Sequence, residues 1–247
     1  MCNSENHSHP TRRKFFQLTG ASVVGAAVLS SQLLSTNVHA ASKDDKAPPK
    51  PQNVLTPKEA LDHLMQGNAR YVDGVARRHD FRHDRDALTA GQNPYAAVLS
   101  CSDSRIAPEY AFDSARGDIF AVRVAGNFVS NEGLGSLEYA VAVLKTPLVM
   151  VLGHDGCGAV SAAVKMQKDK ASYPGKIQEI ARSLTPSVQK VLAEKGDLLD
   201  NAIRQNVIDT VDKLKNSSLI LSEAVSSRKL MIVGGIYELA TGKVKLI

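Results

Sequence analysis

Two segments decide the fold: Ala-Ala-Val-Leu-Ser-Cys-Ser-Asp-Ser-Arg at residues 96–105, and Leu-Val-Met-Val-Leu-Gly-His-Asp-Gly-Cys-Gly at residues 148–158. Each begins with a run of apolar residues and then changes to glycine, cysteine and polar side chains. Apolar runs without strict alternation are typical of strands covered on both faces, as in a parallel sheet. The segments therefore predict two buried strands, each followed by a loop that carries reactive groups.

Two further apolar runs extend this pattern, at residues 119–125 and 230–236. Helical patterns separate the four runs, over about 133–145, 158–169 and 176–228. Because strands alternate with helices, the sequence predicts an α/β fold with a central, mostly parallel four-stranded sheet flanked by helices. Residues 243–247 are a candidate for a fifth, edge strand.

The sequence before the first strand predicts one helix and a long loop. Thr56-Pro57-Lys58-Glu59 has the threonine, first-turn proline and glutamate of a capping box. This motif predicts an amphipathic helix from Pro57 to about Tyr71. Residues 75–93 are polar and rich in Arg, His and Asp, so we expect mainly loop there.

Residues 1–40 have the composition of an export signal. Arg12-Arg13 and Phe15 precede a moderately apolar stretch, and Val38-His39-Ala40 has small residues where a signal peptidase cleaves. The paired arginines favour the twin-arginine pathway. A general secretory signal is the first alternative, and an uncleaved membrane anchor is the second, disfavoured because the stretch is shorter than about 20 residues. We therefore expect cleavage after Ala40, a periplasmic location and transient contact with the twin-arginine machinery.

The rest of the chain divides into a linker and one domain. Residues 41–55 contain charged residues and prolines but no core-forming pattern, which predicts a linker. We expect residues 56–247 to form one folded domain. The composition of the whole chain, with 43% hydrophobic and 22% charged residues, is ordinary for a globular protein. The net charge of +5 comes without a basic stripe, so we expect a small-molecule partner rather than nucleic acid.

Cysteine and histidine residues follow two of the predicted strands. Cys101 follows the first, while His154 and Cys157 follow the run at 148–152. The carboxyl ends of parallel strands meet at one edge of the sheet, so these side chains can lie together if the strands are neighbours. Two thiolates and an imidazole suit Zn²⁺, and three protein ligands leave a fourth position for water. Spacing alone leaves open two buried, unreactive cysteines or a redox disulfide pair.

These motifs resemble those of β-class carbonic anhydrases. The resemblance rests on Cys-Ser-Asp-Ser-Arg (101–105) and Gly-His-Asp-Gly-Cys-Gly (153–158), with Arg-Val-Ala-Gly-Asn (123–127) and Leu-Glu-Tyr-Ala-Val (137–141) adding to it. It covers residues 56–247 and implies a catalytic domain of the β-carbonic anhydrase fold. It also implies one Zn²⁺ per subunit, on Cys101, His154 and Cys157, and reversible hydration of CO2 to bicarbonate and a proton by attack of zinc-bound hydroxide.

The resemblance further implies a catalytic dyad of Asp103 and Arg105. Asp103 would accept a hydrogen bond from the zinc-bound hydroxide. Arg105 would pair with Asp103, keeping it ionised and away from the metal. If that pair broke, Asp103 could become a fourth ligand in the closed state known in part of the family. A purely structural ion pair is the alternative.

Five positions match the substrate pocket of the family. Gln92 would donate its amide hydrogen bond to CO2 or bicarbonate, Gly158 would lie beside the substrate, and the pocket wall would comprise Phe120, Ala125 and Tyr139. Ala125 replaces a larger residue of plant-like members, whereas Gln92 and Tyr139 favour that bacterial, plant-like subtype. Phe120 and Tyr139 are alternatively ordinary core residues.

Family members build their sites at a dimer interface, which implies a homodimer or homotetramer. His79 and His83, in the polar loop, are candidate proton shuttles or simply solvated side chains. Two thiolates neutralise the charge of the metal, so we expect activity to rise towards mildly alkaline pH. The alternative functions are a related zinc hydrolase acting on carbonyl sulfide or carbon disulfide, and an inactive periplasmic zinc-binding or redox protein.

Overall fold

The computed structural model describes residues 55–78 and 80–247, and every contact below refers to these residues. The predicted export signal at residues 1–40 lies outside them, as do His79 and all but the last residue of the linker predicted at 41–55. Only the backbone is described for Phe81, His83, Asp84 and Ala90. A shuttle role for His79 or His83 therefore stays a prediction.

Strands in the described residues form one sheet in the order β2-β1-β3-β4-β5. They are β1 (Ala96–Ser100), β2 (Ile119–Arg123), β3 (Leu148–His154), β4 (Met231–Tyr237) and β5 (Val244–Leu246). The first four pair in parallel, and β5 is antiparallel to β4. The prediction of a mostly parallel sheet with an added edge strand is confirmed. The differences are at strand ends, since β2 is shorter and β3 longer than expected.

Helices surround this sheet. They are α1 (Pro57–Val72), α2 (Phe81–Ala87), α3 (Pro108–Ala111), α4 (Asn131–Ala142), α5 (Gly158–Asp169), α6 (Ile177–Val191), α7 (Leu198–Asn216) and α8 (Leu219–Ser226). The prediction of mainly loop at 75–93 is wrong, because α2 and a 3₁₀ turn at Leu88–Ala90 form there. The sequence of α2 lacks an apolar period, so the pattern carried no helical signal. In the described part of the chain, no helix combines the length and apolarity that crossing a membrane requires.

The predicted capping box starts α1. The backbone N–H of Glu59 donates to Thr56 Oγ1 at 3.3 Å, and the Glu59 carboxylate accepts from the Thr56 backbone N–H at 2.7 Å. Such a cap stabilises a helix by about 1 kcal/mol. Further along, the side chain of Asn68 donates to two backbone carbonyls and accepts from the N–H of Val244. These bonds attach α1 to the β5 end of the sheet.

The centre of the sheet is the most buried part of the fold. β1 and β3 are buried along their whole lengths, because helices cover both faces and other strands cover both edges. β2, at the edge, is only partly buried. Beyond the carboxyl ends of β1 and β3, apolar side chains of α5, α6 and α7 pack around Cys101 and Cys157. The two cysteines therefore lie in an apolar part of the protein interior.

Candidate metal centre

Cys101, His154 and Cys157 come together at the carboxyl ends of β1 and β3. The two strands are neighbours, with Ser100 paired to Leu152, so the residues after them emerge side by side. Cys101 follows β1, His154 ends β3 and Cys157 is the N-cap of α5. Their ligand atoms all lie within 4.8 Å of one another, and the two sulfur atoms are 4.0 Å apart. The structure thus brings together the three residues that the spacing singled out.

The hydrogen bonding of His154 leaves one ring nitrogen for a metal. Nδ1 lies 2.8 Å from the backbone carbonyl oxygen of Asp155, to which it can only donate. The neutral ring therefore has its lone pair on Nε2. The residue is fully buried, and among the described residues Nε2 is a buried polar atom with no hydrogen-bond partner. Since an unsatisfied buried nitrogen is costly, this atom fits a metal ligand.

The ionisation of the two cysteines is linked. The hydrogen bond with Cys157 lowers the pKa of Cys101 to about 4, against the effect of burial, and the hydrogen bond from the backbone N–H of Gly126 acts in the same direction. The same bond and burial raise the pKa of Cys157 far above its ordinary value. One thiolate therefore forms readily, whereas a second one needs a nearby positive charge. A divalent cation that binds sulfur and nitrogen, such as Zn²⁺, supplies that charge.

A tight turn after β2 donates a hydrogen bond to Cys101. The turn closes where the N–H of Asn127 donates to the carbonyl of Val124 at 2.9 Å, and Gly126 has a φ of +83°. These are features of a type II turn with glycine at its third position. The N–H of Gly126 donates to Cys101 Sγ at 3.3 Å. Only glycine fits, because a Cβ would be strained by this φ and would lie 2.6 Å from Leu184.

Asp103 and Arg105 form a bidentate ion pair beside the ligands. Arg105 Nε donates to Oδ1 at 2.8 Å, a second guanidinium nitrogen donates to Oδ2 at 2.7 Å, and the Arg105 backbone N–H adds a bond of 2.9 Å. The hydrogen bonds from Arg105 hold the pKa of Asp103 well below its usual range. Oδ2 of Asp103 lies 4.0 Å from Nε2 of His154. The carboxylate is therefore ionised, bound by Arg105 and adjacent to the ligand set.

Arg123, at the end of β2, is a residue that the sequence analysis did not assign to the site. Its guanidinium donates to the backbone carbonyls of Cys101, Asp103 and Ile106 at 3.1, 2.8 and 2.6 Å. These bonds fix the loop that carries the dyad. The Arg-Val-Ala-Gly-Asn motif at 123–127 marked Arg123 in the sequence. Its role was not predictable, because it depends on contacts between the end of β2 and the loop after β1.

Ala125 and Gly158, two of the five expected pocket residues, lie beside the ligands. Ala125 directly precedes Gly126, whose N–H contacts Cys101. Gly158 follows Cys157 as the first residue of α5, with open space where a Cβ would be. Small residues at both positions leave room next to the ligand set.

The other three expected pocket residues lie away from the ligands in the structure. They are Gln92, Phe120 and Tyr139. Gln92 is exposed and precedes β1, whereas Cys101 follows it. A strand of this length separates its two ends by about 16 Å. Phe120 pairs with Ala97 near the start of β1, and its ring lies 6.3 Å from that of Tyr139, which is 46% exposed. A single chain thus does not bring these three residues to the ligands.

A cleft of about 1000 Å³ opens beside Arg105. Tyr71 and Tyr237 are among its lining residues, and their hydroxyl oxygens are 3.0 Å apart. Cys101, His154 and Cys157 are not among them. The cleft therefore borders the dyad rather than the ligand set.

Comparison with known proteins identifies the family. The profile of the carbonic anhydrase family matches residues 96–244. A carbonic anhydrase of Mycolicibacterium smegmatis is 41% identical over 193 residues, which are 77% of this chain and 93% of that protein. Carbonic anhydrase 2 of Mycobacterium tuberculosis is 39% identical over 191 residues, covering 77% of this chain and 92% of its own length. The chain belongs to the carbonic anhydrase family.

Solved structures place the fold in the β class of carbonic anhydrases. The tetrameric β-carbonic anhydrases of Sordaria macrospora include a chain with a TM-score of 0.62 at 24% identity, covering 76% of this chain and 96% of that one. The β-carbonic anhydrase of Coccomyxa in complex with acetazolamide has a TM-score of 0.58 at 26% identity, covering 77% of this chain and 82% of that one. The resemblance inferred from the two ligand motifs is confirmed for family and fold.

β-Carbonic anhydrases use zinc, and the residues of this chain fit that metal. The three donor atoms are buried and lie close together, one of them is an otherwise unsatisfied imidazole nitrogen, and the second thiolate needs a cation. Zinc is therefore the cofactor, and Cys101, His154 and Cys157 are the residues that can hold it.

Proposed function

We propose that this chain catalyses the reversible hydration of CO2 to bicarbonate and a proton, with zinc held by Cys101, His154 and Cys157. The observation that carries the proposal is the cluster of three buried donor atoms beside an ionised carboxylate. The carbonic anhydrases that match over most of this chain support the same reaction. When bound, zinc lowers the pKa of a coordinated water and so supplies a hydroxide nucleophile near neutral pH.

Asp103 is proposed to orient the attacking oxygen. Its Oδ2 accepts one bond from Arg105 and has a further lone pair on the side near His154. A carboxylate in this position accepts a hydrogen bond from the nucleophile and thereby directs its lone pair at CO2. Because Asp103 stays ionised far below neutral pH, it acts as an acceptor only.

Arg105 is proposed to control whether the site is open or closed. The bidentate pair turns Asp103 towards the guanidinium, which corresponds to the open arrangement. Loss of the pair would release a carboxylate next to the ligand set, where it could bind the metal as a fourth ligand. The open, plant-like arrangement is our proposal for the resting enzyme.

A second copy of the chain is proposed to complete the substrate pocket. Gln92 and Tyr139 are exposed, and Phe120 lies against Tyr139 at the β2 edge of the sheet, away from the ligands of the same chain. Placed against the ligand set of a partner, they would supply an amide donor and an aromatic wall. The tetrameric enzymes of Sordaria macrospora support a homodimer or homotetramer.

Twin-arginine export to the periplasm is proposed from the sequence of residues 1–40. Because that pathway carries folded proteins, zinc would bind in the reducing cytoplasm and protect both thiols before export. Changing Arg12 and Arg13 to Lys should retain the full-length protein in the cytoplasm. Periplasmic protein that lacks zinc and contains a Cys101–Cys157 disulfide would contradict early metal loading.

Zinc analysis and stopped-flow CO2 hydration on the full chain test the reaction. Wild type should contain one zinc per subunit and hydrate CO2, and Asp103→Ala should keep the zinc and lose most of the activity. Asp62→Ala, at an exposed carboxylate on α1, is the control and should behave as wild type. Zinc without CO2 hydration, but with hydrolysis of carbonyl sulfide or carbon disulfide, would favour the related hydrolase. Zinc with neither activity would favour a binding protein.

A further inference from the structure

Asn206, on α7, makes a buried hydrogen bond to the turn at the metal site. Its side chain is 3% exposed, and Nδ2 donates to the backbone carbonyl of Gly126 at 2.8 Å. The N–H of Gly126 in turn donates to Cys101 Sγ at 3.3 Å. A continuous chain of hydrogen bonds therefore runs from α7, through one glycine, to a sulfur atom of the ligand set.

The face of α7 that carries Asn206 also supports the strand before His154. Asn206 and Val207 lie three and four residues after Ile203, so both are neighbours of Ile203 on the helix surface. A Cβ at Gly153 would lie 2.6 Å from Val207 and 3.7 Å from Ile203. The helix thus rests closely on the backbone next to His154, and this packing fixes the position from which Asn206 reaches Gly126.

The glycine at position 126 does not by itself determine the backbone conformation of the turn. Glycine adopts positive and negative φ with similar ease, and a turn with glycine at its third position can interconvert between types I and II. That change rotates the peptide group before Gly126 and directs its N–H away from Cys101. The carbonyl of Gly126 belongs to the peptide group after it, so the bond from Asn206 anchors that side of the glycine to a packed helix. This anchor holds the backbone of Gly126 at the place from which its N–H reaches Cys101 Sγ.

We propose that Asn206 is a positioning residue for the zinc site, keeping the N–H of Gly126 directed at the sulfur of Cys101. This inference rests on zinc ligation by Cys101, as in the proposed function. A hydrogen bond to a ligating thiolate withdraws electron density from sulfur and restricts its movement. Its loss leaves the sulfur more electron-rich and less well placed, and outer contacts of this kind typically affect metal affinity about 10–100-fold.

The test uses Asn206→Asp in the full chain, with Asn68→Asp as the matched control. The aspartate has the shape of asparagine, and its ionised carboxylate cannot donate to the Gly126 carbonyl. Asn68 is also 3% exposed and also donates to backbone carbonyls, but those belong to Ala111 and Gly242. Zinc affinity by chelator competition and the thiolate-to-cobalt absorption band of Co²⁺-loaded protein are the readouts, with the melting temperature recorded for both variants.

We expect Asn206→Asp to weaken zinc binding about tenfold and to move the cobalt band to longer wavelength. Asn68→Asp should lower the melting temperature without changing either metal readout. If Asn206→Asp lowers only the melting temperature, Asn206 is structural and the inference is wrong. If wild type itself fails to bind zinc, the proposed function fails instead, so the two failures are distinguishable.

Wild-type protein loaded with ¹¹³Cd supplies a readout that needs no variant to fold. The N–H···S bond should produce a scalar coupling between the metal and the Gly126 amide proton. The Asn206 bond should produce a coupling between its side-chain nitrogen and the Gly126 carbonyl carbon. Both couplings support the proposal, and the absence of either one overturns it.

Discussion

The carboxyl and amino ends of β1 differ in what the chain provides there. At the carboxyl end, Cys101 is buried and lies within 4.8 Å of the other ligand atoms, next to an ionised carboxylate. On the amino side, Gln92 is exposed and Phe120 packs on the half-exposed Tyr139. One chain thus brings the ligands, Asp103 and Arg105 together but leaves Gln92, Phe120 and Tyr139 away from them. This difference is the reason for the proposal that a second copy of the chain completes the substrate pocket.

Removal of a ligand at the carboxyl end should have the largest effect. Cys157→Ser keeps a good N-cap for α5 but replaces the thiolate by a weakly binding hydroxyl. We expect loss of bound zinc and CO2 hydration at the uncatalysed rate, measured by elemental analysis and stopped flow. Ser161→Ala, one turn further along α5, serves as the control and should retain both. Full activity in Cys157→Ser would remove this residue from the ligand set.

Removal of the guanidinium of Arg105 should have the next largest effect. Arg105→Gln breaks the bidentate pair and frees Asp103 beside the ligands, so we expect about 100-fold lower activity with zinc retained. Lys58→Gln breaks an exposed lysine–aspartate pair on α1 and should leave the rate unchanged. Unchanged activity in Arg105→Gln would show that its pair with Asp103 is structural only.

A subunit-mixing experiment tests the comparison directly. Gln92→Ala should lower activity about tenfold, by loss of one hydrogen bond to the substrate. If Gln92 serves the partner's zinc, a hybrid dimer of Gln92→Ala and Asp103→Ala subunits has one intact site and one doubly altered site. Random mixing should then restore about a quarter of the wild-type sites, because half of the dimers are hybrids. No gain on mixing would mean that each pocket is built within one chain.

The smallest effect is expected in the scaffold behind the ligands, at Asp209 on α7. Burial opposes its ionisation, but hydrogen bonds from Lys190, Ser187 and Gln205 lower its pKa below the usual value. A lowered folded-state pKa contributes stability that is present above the unfolded pKa and lost as pH falls through the folded one. We expect Asp209→Asn to reduce the melting temperature by about 2–4 °C at pH 7.

The pH dependence of this difference provides the check. The gap between wild type and Asp209→Asn should shrink as the pH falls below about 4, where the wild-type carboxyl also takes up a proton. Thermal unfolding followed by circular dichroism measures it. Asp62→Asn, at an exposed ion pair, should show little difference at any pH. A gap that stayed constant down to pH 2 would mean that the charge of Asp209 does not matter.

Sequence patterns predicted those features that depend on neighbours along the chain. β1 and β3 were predictable because burial on both faces requires continuous apolar residues. The start of α1 was predictable because a capping box lies within four residues. The prediction that the three ligands lie together required one assumption about the fold, namely that β1 and β3 are neighbours. The strand order of the sheet confirms it.

Features that depend on distant contacts were not predictable in this way. The pairing of Asn206 with Gly126 spans 80 residues, and an asparagine within an amphipathic helix has no signature of such a role. The polar helix α2 has no apolar period to reveal it. Gln92 matched the family motif, yet its distance from Cys101 of the same chain depends on the course of a whole strand.

The separation of the two cysteine ligands along the chain affects how the site is made. Cys101 precedes Cys157 by 56 residues. At about 5–20 residues per second, a ribosome delivers the first thiol about 3–11 s before the second. During that interval β1 has no β3 beside it, and Cys101 is without its co-ligands. We therefore expect synthesis speed, the surrounding thiol chemistry and the supply of zinc to act together on the yield of correctly metallated enzyme.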